Sequence, residues 1–379
     1  MSEYQYYEFQ AIDRPLDRAA RETLRSISSR ARITGTSFTN HYEWGDLKGN
    51  PRTFMEQWFD LHLYLANWGT RRLMMRLPTR LLNRTDINPF LRRIDWVNIW
   101  GSDENLIVDI CRDEVESDGD WDDGSGWLAV LAPLRAEVLS GDLRLFYLLW
   151  LMAVQEELIA DGEVEPLPGI GPLTGALQGL AEFFGMDPDL VQVAAERDAH
   201  VAAPSRDSLR EVLATIPERQ KTELLLRIAA GDVHVGAEIR SVWRKKHPRS
   251  AGHRTAGALR KRAREIARAR EREATERRQA ERHRQAQEAE QARRGWLKAL
   301  RQRGASVWRE IEEEIERRSA PGYDRAADLL SGLQAIAVEE GSQADFSRRL
   351  ALIRARHEKK RKFVERLDRL GCSNAQGLI

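Results

Sequence analysis

Residues 256–300 read AGALRKRAREIARAREREATERRQAERHRQAQEAEQARRGWLKAL. The stretch is mostly Arg, Glu, Gln and Ala, all good helix formers. A helix from Ala256 to Leu300 would be roughly 65 Å long at 1.5 Å per residue. Its apolar positions, among them Leu259, Ala263, Ile266, Ala274, Ala280 and Ala286, hold no seven-residue repeat, so a strong coiled coil is not expected. Glu273/Arg277 and Glu290/Arg294 stand in the favourable i,i+4 order. Arg260/Arg264 and Arg264/Arg268 repel, so a bound ligand would stabilise the N-terminal half.

The surroundings of this helix are electrically lopsided. Ser241 to Glu310 carries 22 Lys/Arg against 8 Glu, whereas the whole 379-residue chain carries a net charge of only +1. The rest of the chain is therefore acidic. Three readings of the basic arm follow. It can be a solvated, self-supporting helical spacer. It can bind nucleic-acid phosphates, with Arg244, Lys245, Lys246, Arg249, Arg254, Arg260, Lys261, Arg262 and Arg264 as first contacts, in which case binding falls steeply with salt. Or it can dock on an acidic protein surface, this chain's own or a partner's.

Past the arm, Pro321-Gly322 opens a C-terminal module of three short helices: Tyr323–Val338, Gln343–His357 and Lys360–Leu370. Leu329, Leu330, Leu333, Phe346, Leu350, Ile353, Phe363 and Leu367 are available for its core. Before the arm, strand signals vanish from Trp127 onward. Helices are predicted at Trp127–Leu139, Leu143–Leu158, Leu173–Phe184, Pro188–Glu196, Ser208–Ile216 and Glu218–Ala229, punctuated by proline and glycine. The N-terminal stretch differs. Gln5–Ile12, Ile33–Trp44, Arg72–Leu77 and the hairpin Trp96–Trp100/Leu106–Cys111 read as strands. Leu16, Ala20, Leu24 and Ile27 recur at helical spacing. Asn50-Pro51 starts a second helix expected to bury Phe54, Trp58, Leu61 and Leu65 and to close at Gly69. The fold class expected is α+β, predominantly α. Its parts are an α+β domain over 1–117, an acidic loop over 118–126, an all-α domain over 127–243, a basic helical arm over 244–318 and a C-terminal helical module over 319–379.

No signature of a chemistry accompanies this organisation. The chain lacks G-x-S-x-G, H-E-x-x-H, C-x-x-C and a P-loop, so no catalytic residue, metal ligand or cofactor is assigned. Asp103–Asp123 holds ten Asp/Glu and one Arg. A calcium loop counted from Asp118 would need glycine at its sixth place and glutamate at its twelfth, where Asp123 and Ala129 stand. The segment then reads as a solvated acidic loop or a dock for the arm. Leu167-Pro-Gly-Ile-Gly-Pro172 resembles the hairpin of helix–hairpin–helix DNA-binding motifs, whose glycines expose N–H groups to phosphate, although Glu163 and Glu165 beside it oppose an anion. Proline and glycine between two helices are also what a plain interhelix turn needs, and that reading is preferred. His41 and His62, the latter placed on the second helix, have no nucleophile or third ligand beside them. Trp44, Trp58, Trp68, Trp96 and Trp100 line either a core or an aromatic groove.

Only two cysteines occur, Cys111 and Cys372, which suits a reducing compartment. The start MSEYQYYEFQ has no apolar run of a signal peptide, and Leu145–Val154 is too short to span a bilayer. A cytoplasmic protein without a membrane partner is expected.

Tyr7-Glu-Phe-Gln-Ala-Ile-Asp-Arg-Pro-Leu16, Trp44-Gly-Asp-Leu-Lys-Gly49, Ala66-Asn-Trp-Gly-Thr-Arg-Arg72 and Gly141-Asp-Leu-Arg-Leu-Phe-Tyr147 together resemble a family of uncharacterised bacterial proteins. The resemblance continues through Asp187-Pro-Asp-Leu190 and Leu224-Leu-Leu-Arg227. Tyr323-Asp-Arg-Ala-Ala-Asp-Leu-Leu330 and His357-Glu-Lys-Lys-Arg-Lys-Phe363 resemble the helical tail of bacterial proteins with SWIM zinc fingers, whose zinc ligands this chain lacks. The resemblance implies a bacterial accessory protein acting beside a nucleic-acid-related partner, and carries over no functional residue. The function expected is non-enzymatic recruitment of a polyanionic partner through the arm, nucleic acid first and an acidic protein partner second. The rivals are an enzyme with its site in the N-terminal domain around His41 and His62, and a purely structural protein–protein scaffold.

Overall fold

Along Gln5–Gln10 (β1) side chains alternate, so Tyr6 faces one side of a sheet and Tyr7 and Phe9 the other. The computed structural model describes residues 3–115, 122–197, 205–246 and 253–372. Arg32–Ile33 (β2), Ser37–Tyr42 (β3), Leu61–Ala66 (β4), Arg71–Pro78 (β5), Val97–Gly101 (β6) and Asn105–Arg112 (β7) complete one seven-stranded sheet. Its order is β2-β3-β1-β4-β5-β7-β6, and every pairing is antiparallel.

Both faces are covered. Phe9, Phe38, Met74 and Ile107 pack against α1 (Arg18–Ile27), through Ala20 and Leu24, and against α2 (Pro51–Gln57), through Phe54 and Met55. On the other face Leu61, Leu63, Leu65, Leu73, Met75, Val108 and Ile110 meet a helical layer. That layer contains α3 (Arg84–Leu91), α4 (Trp127–Leu131), α5 (Pro133–Leu139), α6 (Arg144–Gln155), α7 (Gly175–Phe183) and α8 (Pro188–Ala195). Helix α6 is apolar all round and buried from Arg144 to Val154, the pattern of a helix enclosed by its neighbours. The strands up to Arg112 and the helices from Trp127 thus share one core.

The helix expected over Asn50–Gly69 is corrected. Asn50 does cap it, accepting the Arg52 N–H at 2.9 Å, and Pro51 starts it. It stops at Gln57, and Leu61–Ala66 is the central strand β4. Phe54, Trp58, Leu61 and Leu65 stand at helical spacing, yet the run Leu61-His-Leu-Tyr-Leu also alternates. Flanked by two strands and covered on both faces, β4 encloses His62 as fully as its leucines, so the alternation marks no solvent-facing side. His62 therefore belongs to a strand. Ile33–Trp44, expected as one strand, is broken by a turn in which Thr34 Oγ1 accepts N–H groups of Thr36 (3.2 Å) and Ser37 (2.9 Å). Helix α3 contains Pro89, which masked it, but is fixed by a capping box between Asn83 and Asp86.

Three further helices, α9 (Arg206–Thr215), α10 (Glu218–Ala229) and α11 (Val235–Lys246), form a small satellite core of Ile216, Leu224 and Val235. The long helix α12 runs Ala256–Arg303, within three residues of the predicted end. The chain divides into two compact units, Met1–Arg270 and Glu271–Ile379. In the second, the end of α12 packs with α13 (Ser306–Glu316), α14 (Ala320–Glu340), α15 (Gln343–Arg356) and α16 (Arg361–Cys372) around Leu300, Ile311, Ile315, Leu330, Phe346 and Phe363. The bare Cα of Gly332 admits Trp296 and Leu300: a Cβ there would lie 2.4 Å and 2.6 Å from their side chains. Among the described residues no helix is long and apolar enough to cross a membrane.

Candidate polyanion interface

The net positive charge of the arm is concentrated at its start. Residues 241–270 hold eleven Lys/Arg and one Glu, whereas 271–295 hold seven Arg and six Glu. This basic start is stitched to the first unit. Val164 and Thr255 form a short antiparallel bridge. The Ala256 N–H donates to Glu163 O at 2.9 Å and the Gly257 N–H to Asp161 O at 3.0 Å, so the open N–H groups of the helix start are partly satisfied by protein carbonyls. Gly257 is required for this approach, since a Cβ would stand 2.9 Å from the Asp161 side chain. Leu259 and Ala263 then enter the core.

The arginines complete the dock. Arg254 grips the fully buried Glu165 through Nε at 3.0 Å and Nη2 at 2.8 Å, and donates to Val193 O at 2.6 Å. Glu165 also accepts the Tyr147 hydroxyl at 2.6 Å. Burial works against the charge on Arg254, but the bonds to Glu165 outweigh it and raise its pKa. Burial and then the Glu165 charge push the Tyr147 phenol up, keeping it a donor. Arg260 donates to Val154 O (2.9 Å) in the last turn of α6 and to Ile159 O (3.0 Å) in the loop that follows, and also pairs with Asp161. Arg270 forks onto Asp189 at 2.8 Å twice.

The nine residues expected to meet nucleic acid thus separate. Arg254 and Arg260 are bound inward. Arg262 lies 3.4 Å from Glu196 and 3.3 Å from Glu265, and Arg264 3.7 Å from Glu157. Lys261 is exposed and forms no ion pair among the described residues. Arg244, on α11, donates to Ser140 O, over a Gly141 whose missing side chain leaves it room. Lys245 and Lys246 end α11, and Arg249 lies outside the described residues. Asp161, Glu165 and Asp189, none of them singled out in the sequence as a partner of the arm, are the acids that hold Arg260, Arg254 and Arg270. They fall in interhelix turns and at a helix start, where acids are commonplace and carry no signal by themselves.

The turn Leu167–Pro172 is an internal support. Ile170 and Gly171 donate their N–H groups to Ala194 O and Arg197 O at 3.1 and 3.0 Å, and a Cβ on Gly169 or Gly171 would lie 2.2 Å from a carbonyl oxygen of the α8 end. These donors face protein carbonyls, where a DNA hairpin would present them to phosphate. Asp118 and Asp120 of the acidic loop lie outside the described residues. Asp122 accepts the Trp127 indole N–H at 2.8 Å and lies 3.6 Å from Arg71.

His41 and His62 are not brought together. His41 pairs with Tyr6 and His62 with Phe9, residues on opposite faces of β1. His62 is fully buried, stacked on Phe9 at 3.9 Å between ring centres, with Nδ1 3.0 Å from Glu8 O and Nε2 without a partner. Of the five N-terminal tryptophans, Trp44 and Trp68 are exposed, while Trp58, Trp96 and Trp100 pack against the two cores. No protein-family model matches the chain, and no curated protein or solved structure does either.

Proposed function

We propose that the protein is a non-enzymatic bacterial interaction protein that recruits a polyanionic partner, nucleic acid first, through the basic start of α12. One observation carries the reading. With Leu259 and Ala263 in the core and Arg270 paired to Asp189, Lys261, Arg264 and Arg268 form an exposed row on the opposite side of the helix, at i, i+3 and i+7. Among the described residues the one ion pair within 4 Å that the row forms is Arg264–Glu157, at 3.7 Å. The row spans roughly 10 Å, a reach suited to adjacent phosphates. Arg254, Arg260 and Arg270 hold the dock, whereas Lys261, Arg264 and Arg268 would meet the partner, Arg264 exchanging its exposed pair with Glu157.

Binding to mixed DNA and RNA across a salt series tests this, with Lys261→Gln/Arg264→Gln/Arg268→Gln as comparison. Loss of three phosphate contacts should reduce the slope of log affinity on log salt by about 2–3. Absence of binding by either form at low salt would end the proposal.

A second reading, the helical spacer, draws on the other half of α12. Thr275–Trp296 is exposed on every side, with Glu273/Arg277, Arg284/Glu288 and Glu290/Arg294 paired along it. A helix polar all round is typical of a solvent-crossing connector. The spacer predicts that the neutralised variant behaves as the parent protein in every binding assay.

A further inference from the structure

Strand β6 is an outer edge of the sheet, and its backbone is open in a regular pattern. It pairs with β7 in the register Val97↔Ile110 to Gly101↔Leu106. Cys111 N–H donates to Trp96 O at 3.0 Å and Ser102 N–H to Asn105 O at 2.8 Å. In an antiparallel ladder hydrogen-bonded positions alternate, so Trp96, Asn98, Trp100 and Ser102 turn their backbone toward β7. Val97, Ile99 and Gly101 turn theirs outward, and among the described residues no strand lies beyond them. Natural sheets guard such an edge with Lys, Pro or inward-pointing charge. The run Val97-Asn-Ile-Trp-Gly101 has none of these.

We propose that β6 is a docking edge for an extended segment of a partner protein, which adds to the sheet as an eighth strand. The occupant is apolar at alternate positions, to continue the partly buried row of Val97 and Ile99. It carries Lys or Arg at the end beside Gly101, where Asp103 and Glu104 are exposed and, among the described residues, form no ion pair. A second copy of β6 fits less well. Two-fold pairing through Ile99 would set Asp95 of one chain opposite Asp103 of the other, twice, and like charges directly opposed are destabilising. The edge is independent of the basic helix, so it stands or falls apart from the reading above.

The test titrates the full-length protein with the peptide acetyl-Thr-Val-Thr-Val-Thr-Lys-Lys-amide, followed by tryptophan fluorescence and calorimetry. Two N-methylated isomers are compared, one methylated on the valine nitrogens and one on the threonine nitrogens. Only one set of nitrogens can face β6, so one isomer should lose affinity by about tenfold or more and the other should bind as the parent. Ile99→Pro removes an outward donor at a place where edge strands accept proline, and should weaken the parent peptide comparably. Asp103→Lys should weaken it several-fold. Lack of saturable binding at millimolar peptide, or equal loss with both isomers, overturns the proposal. So does concentration-dependent self-association that Ile99→Pro abolishes, because the occupant is then a second copy. Should Ile99→Pro fail to fold, the isomer comparison decides alone.

Discussion

His62 has one ring nitrogen bonded to Glu8 O and the other enclosed without a partner, against the face of Phe9. Burial lowers its pKa to about 3, with the Arg72 charge adding to the effect and the bond to Glu8 opposing it. The folded protein thus keeps His62 neutral where the unfolded chain, with a pKa of about 6.5, takes a proton. The stability this group contributes is present above pH 6.5 and is lost as pH falls from there toward 3. Denaturant unfolding between pH 7 and pH 5 should show a fall steeper in the parent than in His62→Phe, by up to about 1.4 kcal/mol per pH unit. Equal slopes would mean that the imidazole is solvated in the folded state.

At the scale of the element, α12 has two environments, and its glycines and their neighbours report them. Gly295 lies in exposed helix with nothing near a built Cβ. Gly295→Ala should stabilise the protein by roughly 0.5–1 kcal/mol, through helix propensity and a less free unfolded chain. The same change at Gly332, on α14 beneath Trp296 and Leu300, should destabilise by about 1–3 kcal/mol, because the methyl enters occupied space. Thermal melts of the two variants should move in opposite directions. Elements of this kind were legible in the sequence because their cues are local: α12 from composition, α1 from its spacing, the β6–β7 hairpin from two apolar runs around a turn. The misread element, β4, has only a five-residue alternation, which overlaps the helical spacing of Phe54, Trp58, Leu61 and Leu65. Its identity is set by β1 and β5 on either side, contacts remote in sequence. Docking of the arm on this chain's own acids was among the expectations, but which cations take part was hidden for a related reason. Arg254 and Lys261 look alike in a basic run, and only the tertiary position of Glu165 turns one inward and leaves the other in solvent.

At the scale of the whole molecule, each compact unit has its own apolar core, Leu63, Val108 and Leu149 being central to one and Ile311, Leu330 and Phe363 to the other. Residues Met1–Arg270 and Glu271–Ile379, expressed separately, should each unfold cooperatively, as followed by calorimetry and circular dichroism. Failure of either to show a transition would mean that its core depends on the rest of the chain.

The strand order also bears on synthesis. Strand β1 lies between β3 and β4. A chain emerging N-terminus first can pair β1 with β3 early, but the other edge of β1 stays bare until Leu61–Ala66 leaves the ribosome. During that interval a row of Tyr and Phe with unsatisfied backbone is open to neighbouring nascent chains. Substitutions that slow the arrival of β4 would therefore be felt as lost yield and inclusion bodies, even where the protein that does mature melts at its ordinary temperature.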